Sequence, residues 1–241
     1  MENNLLNYLN KRLDESHKKQ VPGAKTDGPV ITISREVGCG GLSISRKLAE
    51  ELNKTVFCKK WNVISKEILK ESANELKVVP EKVMRLFKSE GHFTFDEILA
   101  AFTDKYYKSN RVILKTVREV IRNMAIDGCC IILGRGGHII TSDLTNALHI
   151  RLVAPLSWRI KRIAENRGIT EAEAAKYIRV TEEERDIFRK YFMKEKNAVE
   201  NIDLMIDVSR FPADSVVKLI IAAFELKGIP EAIKSKIPFF G

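Results

Sequence analysis

Three glycines stand close together between an apolar segment and an amphipathic segment near the start of the chain. Gly38, Gly40 and Gly41 follow the apolar run Val30 to Ser34, and apolar residues recur at helical spacing in the segment after them. Glycine lets the backbone turn tightly and aim successive N–H groups inward, and the N-terminus of a following helix favours negative charge. This succession of strand, loop and helix predicts a cradle for a polyphosphate.

The loop departs from the usual phosphate-binding pattern G-x-x-G-x-G-K-G-[ST] at three positions, because Arg35 and Leu42 stand at glycine positions and Gly41 stands at the lysine position. A lysine normally follows the last glycine of the cradle and reaches the terminal phosphates, but Gly41 stands there. Arg35 stands at the loop entrance, and its guanidinium can hold the phosphate oxygens that the lysine would have contacted. We expect Arg35 to take the place of the lysine in preference to Arg46, which lies one turn into the helix. The alternative is a tight strand-to-helix turn that binds nothing.

A second glycine-containing loop, GRGGH, follows the buried run Cys129 to Leu133. Ligands of parallel α/β sheets bind beyond the carboxyl ends of the strands, so we expect both loops to face one crevice. Arg135 in this loop is then a candidate contact for a substrate phosphate. The alternative is that the glycines only turn the chain and that Arg135 is a solvated surface residue.

The elements around these loops alternate between strands and helices. Strands are predicted at 30–34, 129–133, 147–153 and 203–208, and helices over about 61–125, 158–167 and 212–226. Two capping boxes, Thr170 with Glu173 and Thr181 with Glu184, predict the starts of two further helices. Apolar strands joined by helical crossovers predict an α/β fold with a parallel sheet covered by helices on both faces.

Length and composition bound the class of protein. The chain has 241 residues, of which 44% are hydrophobic and 30% charged, which is enough for one substantial core. No apolar run approaches the ~20 residues that span a bilayer, so the sequence predicts a cytoplasmic protein with no membrane partner. The four cysteines, Cys39, Cys58, Cys129 and Cys130, include no C-x-x-C, and reduced thiols are expected.

The formal net charge of +9 predicts a polyanionic partner. Arginines recur on segments separated by apolar strands instead of forming one tract, and no basic face is interleaved with aromatic residues. Small-molecule nucleotides are therefore favoured over nucleic acid, and the oligomeric state is left open.

Four motifs between Val30 and Leu226 occur in a specific order, and the chain resembles the cytidylate kinase-like family in them: ITISREVGCGG, IILGRGGHI, LHIRLVAPLSWRIKRI and EEERDIFRKYF. The resemblance implies a P-loop kinase fold with a helical monophosphate-binding insertion and a helical lid. It implies the following organisation: an N-terminal helical extension and linker (1–28), a P-loop kinase-like domain (29–228) with an acceptor-binding insertion (60–127) and a lid (158–196), and a C-terminal tail (229–241).

The resemblance also implies roles for single residues. The donor phosphates would be held by the loop residues Gly38, Cys39, Gly40, Gly41, Leu42 and Ser43, and Ser43 would also lie near Mg²⁺. Arg135 and, in a looser alignment, Arg111 would bind the acceptor. Arg185 and Arg189 match lid arginines and would act in catalysis together with Arg35. Leu133 and Gly136 stand where cytidylate kinases have aspartates, which leaves cytosine recognition and metal positioning open.

The lid also has a basis in the residues themselves. Residues 158–196 are rich in Arg, Lys and Glu and poor in large apolar residues, as expected of a hinged flap with little core of its own. Arg185 and Arg189 are four residues apart, so both project from one helix face. The alternative is an ordinary pair of solvated helices.

Two functions follow as hypotheses. The first is a nucleotide phosphotransferase that uses ATP and Mg²⁺ to phosphorylate a small acceptor, such as the nucleoside monophosphate CMP. The second is a nucleotide-binding or sensing module with weak catalysis, which kept the cradle but not the lysine.

Overall fold

The structure, a computed structural model, describes residues 28–54, 60–65, 118, 121–196 and 200–229. The chain divides into two compact units, one formed by Met1–Thr26 with Ile64–Ile121 and the other by Asp27–Val63 with Arg122–Gly241. Both glycine loops belong to the second unit. Most of the proposed N-terminal extension, acceptor-binding insertion and C-terminal tail lies outside the described residues, and those boundaries stay predictions.

Five strands form one sheet in the order β2-β3-β1-β4-β5. They are β1 (Val30–Arg35), β2 (Asn62–Ile64), β3 (Cys130–Leu133), β4 (Ala147–Val153) and β5 (Leu204–Asp207). The pairings of β1 with β3, of β1 with β4 and of β4 with β5 are all parallel. Every residue of β3 and the first four residues of β1 are buried, as is typical of a parallel sheet covered on both faces.

Helices cover the sheet on both faces. They are α1 (Gly41–Leu52), α2 (Gly137–Ile140), α3 (Leu156–Arg167), α4 (Glu171–Lys196) and α5 (Ala213–Leu226). A β-carbon at Gly41 would lie 3.1 Å from Leu133 Cδ1, whereas one at Gly137 would lie 2.8 Å from Ile132 Cγ2. Successive strand residues point to opposite faces, so α1 and α2 lie on opposite sides of the sheet. This arrangement confirms the predicted α/β fold.

The helix predicted from about residue 61 is wrong at its start, because residues 62–64 form the edge strand β2. A strand of three residues is too short to show a period of two in the sequence. Within the described ranges, no helix is both long enough and apolar enough to cross a bilayer.

The two capping boxes have different outcomes. The first does begin a helix: Thr170 N donates to Glu173 Oε2 (2.9 Å), and Glu173 N donates to Thr170 Oγ1 (3.3 Å). The second, Thr181 with Glu184, begins no helix, because α4 runs unbroken from Glu171 to Lys196. The capping pattern alone does not distinguish a helix start from the same residues inside a helix.

The expectation of reduced thiols is correct for Cys39 and Cys130, which are free and buried. It is wrong for Cys129, which is disulfide-bonded. Disulfide partners need only be close in space, so the spacing of cysteines along the chain did not indicate this bond.

Candidate functional site

The two glycine-containing loops leave neighbouring parallel strands at the same edge of the sheet. Ile33 of β1 lies opposite Leu133 of β3, and Gly134 N donates to Ile33 O (2.9 Å). The loops that follow these residues therefore lie side by side, at the edge where ligands bind in parallel α/β sheets.

The first loop has the backbone shape of an anion cradle. Gly38 (φ 97°) and Gly40 (φ 68°) both adopt left-handed conformations that other residues adopt only with strain. Gly40 is the N-cap of α1 and has no side chain to bond the first N–H groups of the helix. Those N–H groups have no acceptor within the helix, so they can donate to phosphate oxygens at the loop.

The remaining residues of the first loop differ in whether their side chains can contact a ligand. Ser43 is exposed in the first turn of α1, and Leu42 is half-buried. Cys39 is fully buried, and burial raises the pKa of its thiol to about 12. Cys39 therefore stays a neutral thiol at physiological pH, and it can meet a phosphate only through its backbone.

Arg35 crosses the first loop from the end of β1. A β-carbon at Gly41 would lie 3.1 Å from Arg35 Cγ and 3.4 Å from Cδ, so the arginine stem fills the space where a side chain at position 41 would begin. The guanidinium continues to the second loop, where a β-carbon at Gly134 would overlap Nη1. Arg35 thus links the two loops, and glycines at both positions make room for it.

Two arginines of α3 also touch the first loop, and the sequence did not single them out as site residues. Arg159 is 6% exposed and donates from Nη1 to Val37 O (3.2 Å). A β-carbon at Gly40 would lie 2.7 Å from Arg162 Nη2, which puts a second guanidinium beside the cradle. The signal that could have found them is their place on the helix directly after β4, since such helices start at the ligand-binding edge of the sheet.

The structure places the two predicted lid arginines differently. Arg185 of α4 donates from Nη1 to Arg35 O (3.2 Å), so it reaches the entrance of the first loop. Arg189 forms an ion pair with Asp186, and its Nε lies 3.2 Å from Glu200 Oε1. Arg185 is therefore brought to the loop in this structure, whereas Arg189 faces two carboxylates.

The helix pair α3 and α4 has more apolar packing than its charged sequence led us to expect. Val37 of the first loop is buried in a cluster with Ile163, Ala174 and Ile178. Farther along α4, Phe192 reaches the second loop, where a β-carbon at Gly136 would lie 3.0 Å from its Cδ2. Helix α4 therefore contacts both loops, and the lid stays a prediction.

Arg135 stands at the end of β3 in a left-handed conformation (φ 56°). This conformation costs a residue other than glycine roughly 1–3 kcal/mol, and such residues cluster at functional sites. The second predicted acceptor residue, Arg111, lies outside the described residues.

The histidines near the second loop are polar packing residues. His138 is buried with Nε2 3.5 Å from Glu200 Oε1, and burial lowers the pKa of His138 although Glu200 opposes the shift. His149 Nδ1 lies 2.8 Å from Thr32 Oγ1, and burial lowers the pKa of His149 to about 4. Both imidazoles therefore stay neutral near pH 7.

A protein-built metal cage does not occur in the described part of the chain. No group of three or more His, Cys, Asp or Glu side chains there could hold an ion. Mg²⁺ commonly keeps several waters and binds through substrate phosphates with few protein ligands. The exposed hydroxyl of Ser43 fits that kind of site.

Comparisons with known proteins give distant similarities. A uronate isomerase from Corynebacterium glutamicum is 23% identical over 120 residues, which are 49% of this chain and 23% of that protein. The chain thus spans about a quarter of the length of this curated relative.

Two solved structures superpose on this chain to different degrees. An uncharacterized protein from Eubacterium ventriosum superposes with a TM-score of 0.57 at 22% identity, covering 82% of this chain and 98% of that one. A shikimate kinase from Bacteroides thetaiotaomicron gives a TM-score of 0.42 at 15% identity, with 82% and 98% covered.

The family comparison covers most of the chain. A sequence profile of the cytidylate kinase-like family matches residues 30–210, a range that contains both glycine loops and α4. The matched range has the five-stranded α/β architecture and the loop arrangement of a P-loop kinase fold. The chain belongs to the cytidylate kinase-like family.

Proposed function

We propose that the protein is a cytoplasmic nucleotide phosphotransferase that moves a phosphoryl group from ATP to a small acceptor, with a nucleoside monophosphate such as CMP as the first candidate. The observation that carries this proposal is the path of Arg35 past Gly41 to Gly134. The Arg35 stem fills the space where the side chain of the usual lysine would begin, and its guanidinium lies against the loop proposed to hold the acceptor.

The donor phosphates are proposed to lie on the first loop. Gly38 and Gly40 shape the backbone, and the N–H groups at the start of α1 point to the anion. Arg35, with Arg162 beside Gly40, supplies the positive charge that the missing lysine would have supplied. Mg²⁺, held by the phosphates and Ser43, would neutralise the charge of the transferred group.

The acceptor is proposed to bind at the second loop through Arg135. Phosphoryl transfer needs positioning and charge stabilisation more than covalent chemistry, so a second guanidinium on the acceptor phosphate would align the two substrates. Arg185 at the loop entrance would meet the charge that develops during transfer.

The test is a coupled assay of ADP formation with ATP, Mg²⁺ and a panel of monophosphates led by CMP, dCMP and UMP. We expect turnover with at least one acceptor, and we expect Arg135→Ala to raise KM for that acceptor while calorimetric ATP affinity stays the same. ATP hydrolysis that no acceptor stimulates would contradict the proposal.

A second candidate is a nucleotide-binding or sensing module with weak catalysis. One observation favours it: Arg189 faces Asp186 and Glu200 instead of the loops. Tight ATP binding without turnover on any acceptor in the same experiment would select this function.

A further inference from the structure

One loop residue, Val37, has both of its backbone polar groups bonded to side chains from α3 and α4. Val37 N donates to Glu182 Oε1 (3.2 Å), and Val37 O accepts from Arg159 Nη1 (3.2 Å). The same Nη1 donates to Glu182 Oε1 (2.6 Å). The N–H and the C=O of Val37, together with the side chains of Glu182 and Arg159, therefore form a closed ring of hydrogen bonds.

Arg159 is also fixed on its other side. Its Nε donates to Ala154 O (3.0 Å) and lies 3.4 Å from Glu36 Oε2, which itself accepts from Ala154 N (3.1 Å). The guanidinium is thus buried between two carboxylates, and its bonds to charged partners are of the stronger kind. Arg159 has little freedom to move without breaking several of these bonds.

The loop backbone also touches α3 directly. A β-carbon at Gly38 would lie 3.0 Å from Arg159 Cβ and 3.3 Å from its Cα. The Val37 side chain is 4% exposed and packs with Ile163 and Ile178 of the two helices. The first half of the loop, residues 36–38, is therefore shaped by α3 and α4 as well as by its own glycines.

Glu182 connects this network to a proposed catalytic residue. Glu182 and Arg185 are three residues apart on α4, so they lie on the same helix face. Glu182 bonds the loop at Val37, and Arg185 bonds it at Arg35 O (3.2 Å). A change at Glu182 that lets α4 rotate or lift would move Arg185 away from the loop entrance.

We propose that Glu182 and Arg159 are positioning residues, which hold the first loop and α4 in the register that places Arg185 at the phosphates. Neither residue has to touch the nucleotide. Glu182 acts through Arg185, and Arg159 acts through the loop backbone and through Glu182.

The link between Glu182 and the loop is tested first by hydrogen exchange at the Val37 amide, which requires no turnover. The variants are Glu182→Ala, Glu182→Gln, which keeps an acceptor oxygen, and Glu183→Ala as the control. Glu183 is on the same helix turn, but its side chain is 61% exposed and pairs with Arg179. A hydrogen bond to a charged group is stronger than one to a neutral group, so we expect exchange about tenfold to a hundredfold faster in Glu182→Ala, a smaller increase in Glu182→Gln, and no change in Glu183→Ala. Equal protection of Val37 in wild type and Glu182→Ala would overturn the link.

The positioning role, which rests on the proposed function, is tested by turnover. We expect Glu182→Ala to lower kcat about tenfold with KM for ATP unchanged, and Glu182→Gln to restore most of it. In the double variant with Arg185→Ala, kcat should fall no further than in Arg185→Ala alone, because the two residues act through one contact. Multiplicative losses, or equal losses in Glu182→Gln and Glu182→Ala, would overturn the positioning role. If the wild-type protein showed no turnover, the proposed function would be contradicted. The hydrogen-exchange measurement would still decide whether Glu182 bonds the loop at Val37.

Discussion

The guanidinium of Arg35 lies against the backbone of Gly134, so closely that a β-carbon at position 134 would overlap Nη1. These residues belong to two different loops, which follow two neighbouring strands. The contact makes the conformation of the proposed donor loop depend on the absence of a side chain in the proposed acceptor loop.

Gly134→Ala should therefore displace Arg35 and weaken ATP binding. Because Gly134 has φ 78°, alanine there also strains the backbone, and this part of the effect needs a control. Gly168→Ala provides it, since Gly168 has φ 64° and nothing within 4 Å of a β-carbon. By calorimetry we expect the Kd for ATP to rise at least about tenfold in Gly134→Ala and to stay at the wild-type value in Gly168→Ala. Equal affinities in the two variants would show that the position of Arg35 does not matter.

Arg185 and Arg189 should differ in their effect on turnover. Arg185 bonds the loop entrance, so Arg185→Ala is expected to lower kcat on the order of a thousandfold with little change in ATP affinity. Arg189 must first leave Asp186 and Glu200, and we expect a smaller loss in Arg189→Ala. Arg179→Ala is the control, because Arg179 is exposed on the same helix and pairs with the exposed Glu183. An Arg185→Ala enzyme that keeps the turnover of the control would remove Arg185 from the mechanism.

The elements next to the two loops could be predicted from the sequence, because they are long or strongly apolar. The strand at 147–153 was predicted with the bounds that β4 has, and the strand at 30–34 differs from β1 by one residue. The edge strand β2 was missed, since three residues carry no periodic signal. The unbroken α4 was predicted as two helices, because a threonine and a glutamate inside a helix have the same spacing as a capping box.

The contacts that shape the site could be predicted only in part. The glycine pattern predicted the loop, and the absence of a lysine at position 41 predicted a role for Arg35. The bond from Val37 to Glu182 joins residues 145 positions apart, and no local pattern predicts which of many glutamates on a charged helix will face a loop. The buried Arg159 was likewise indistinguishable in sequence from the solvated arginines around it.

Stability should fall as the pH is lowered through the range in which an ordinary histidine becomes protonated. Burial lowers the pKa of His149 from 6.5 to about 4, so between these values the unfolded chain binds a proton that the folded chain does not. Stability then rises with pH across this window and is lost as pH falls, by roughly 3 kcal/mol at most for this residue. Burial also lowers the pKa of His138, so His138 likewise contributes to the loss of stability as the pH falls.

The measurement is the free energy of unfolding by denaturant at pH 7 and at pH 5, for wild type and for His149→Gln. Glutamine cannot take up a proton in this range, so the variant should lose less stability between the two pH values than wild type loses. An equal loss in both proteins would show that His149 does not titrate differently in the folded and unfolded states.

The measurement that tests the central claim most directly is a cycle of two substitutions at the donor loop. Arg35→Gly removes the proposed substitute cation, and Gly41→Lys adds the usual lysine into space that the Arg35 stem fills. The double variant has the glycine and the lysine of the usual pattern at positions 35 and 41, with Leu42 unchanged. We expect kcat/KM for ATP to fall about tenfold to a hundredfold in each single variant and to recover in the double variant, because only one cation fits and one is required. An Arg35→Gly enzyme as active as wild type, or a double variant no better than the weaker single one, would contradict the claim that Arg35 takes the place of the lysine.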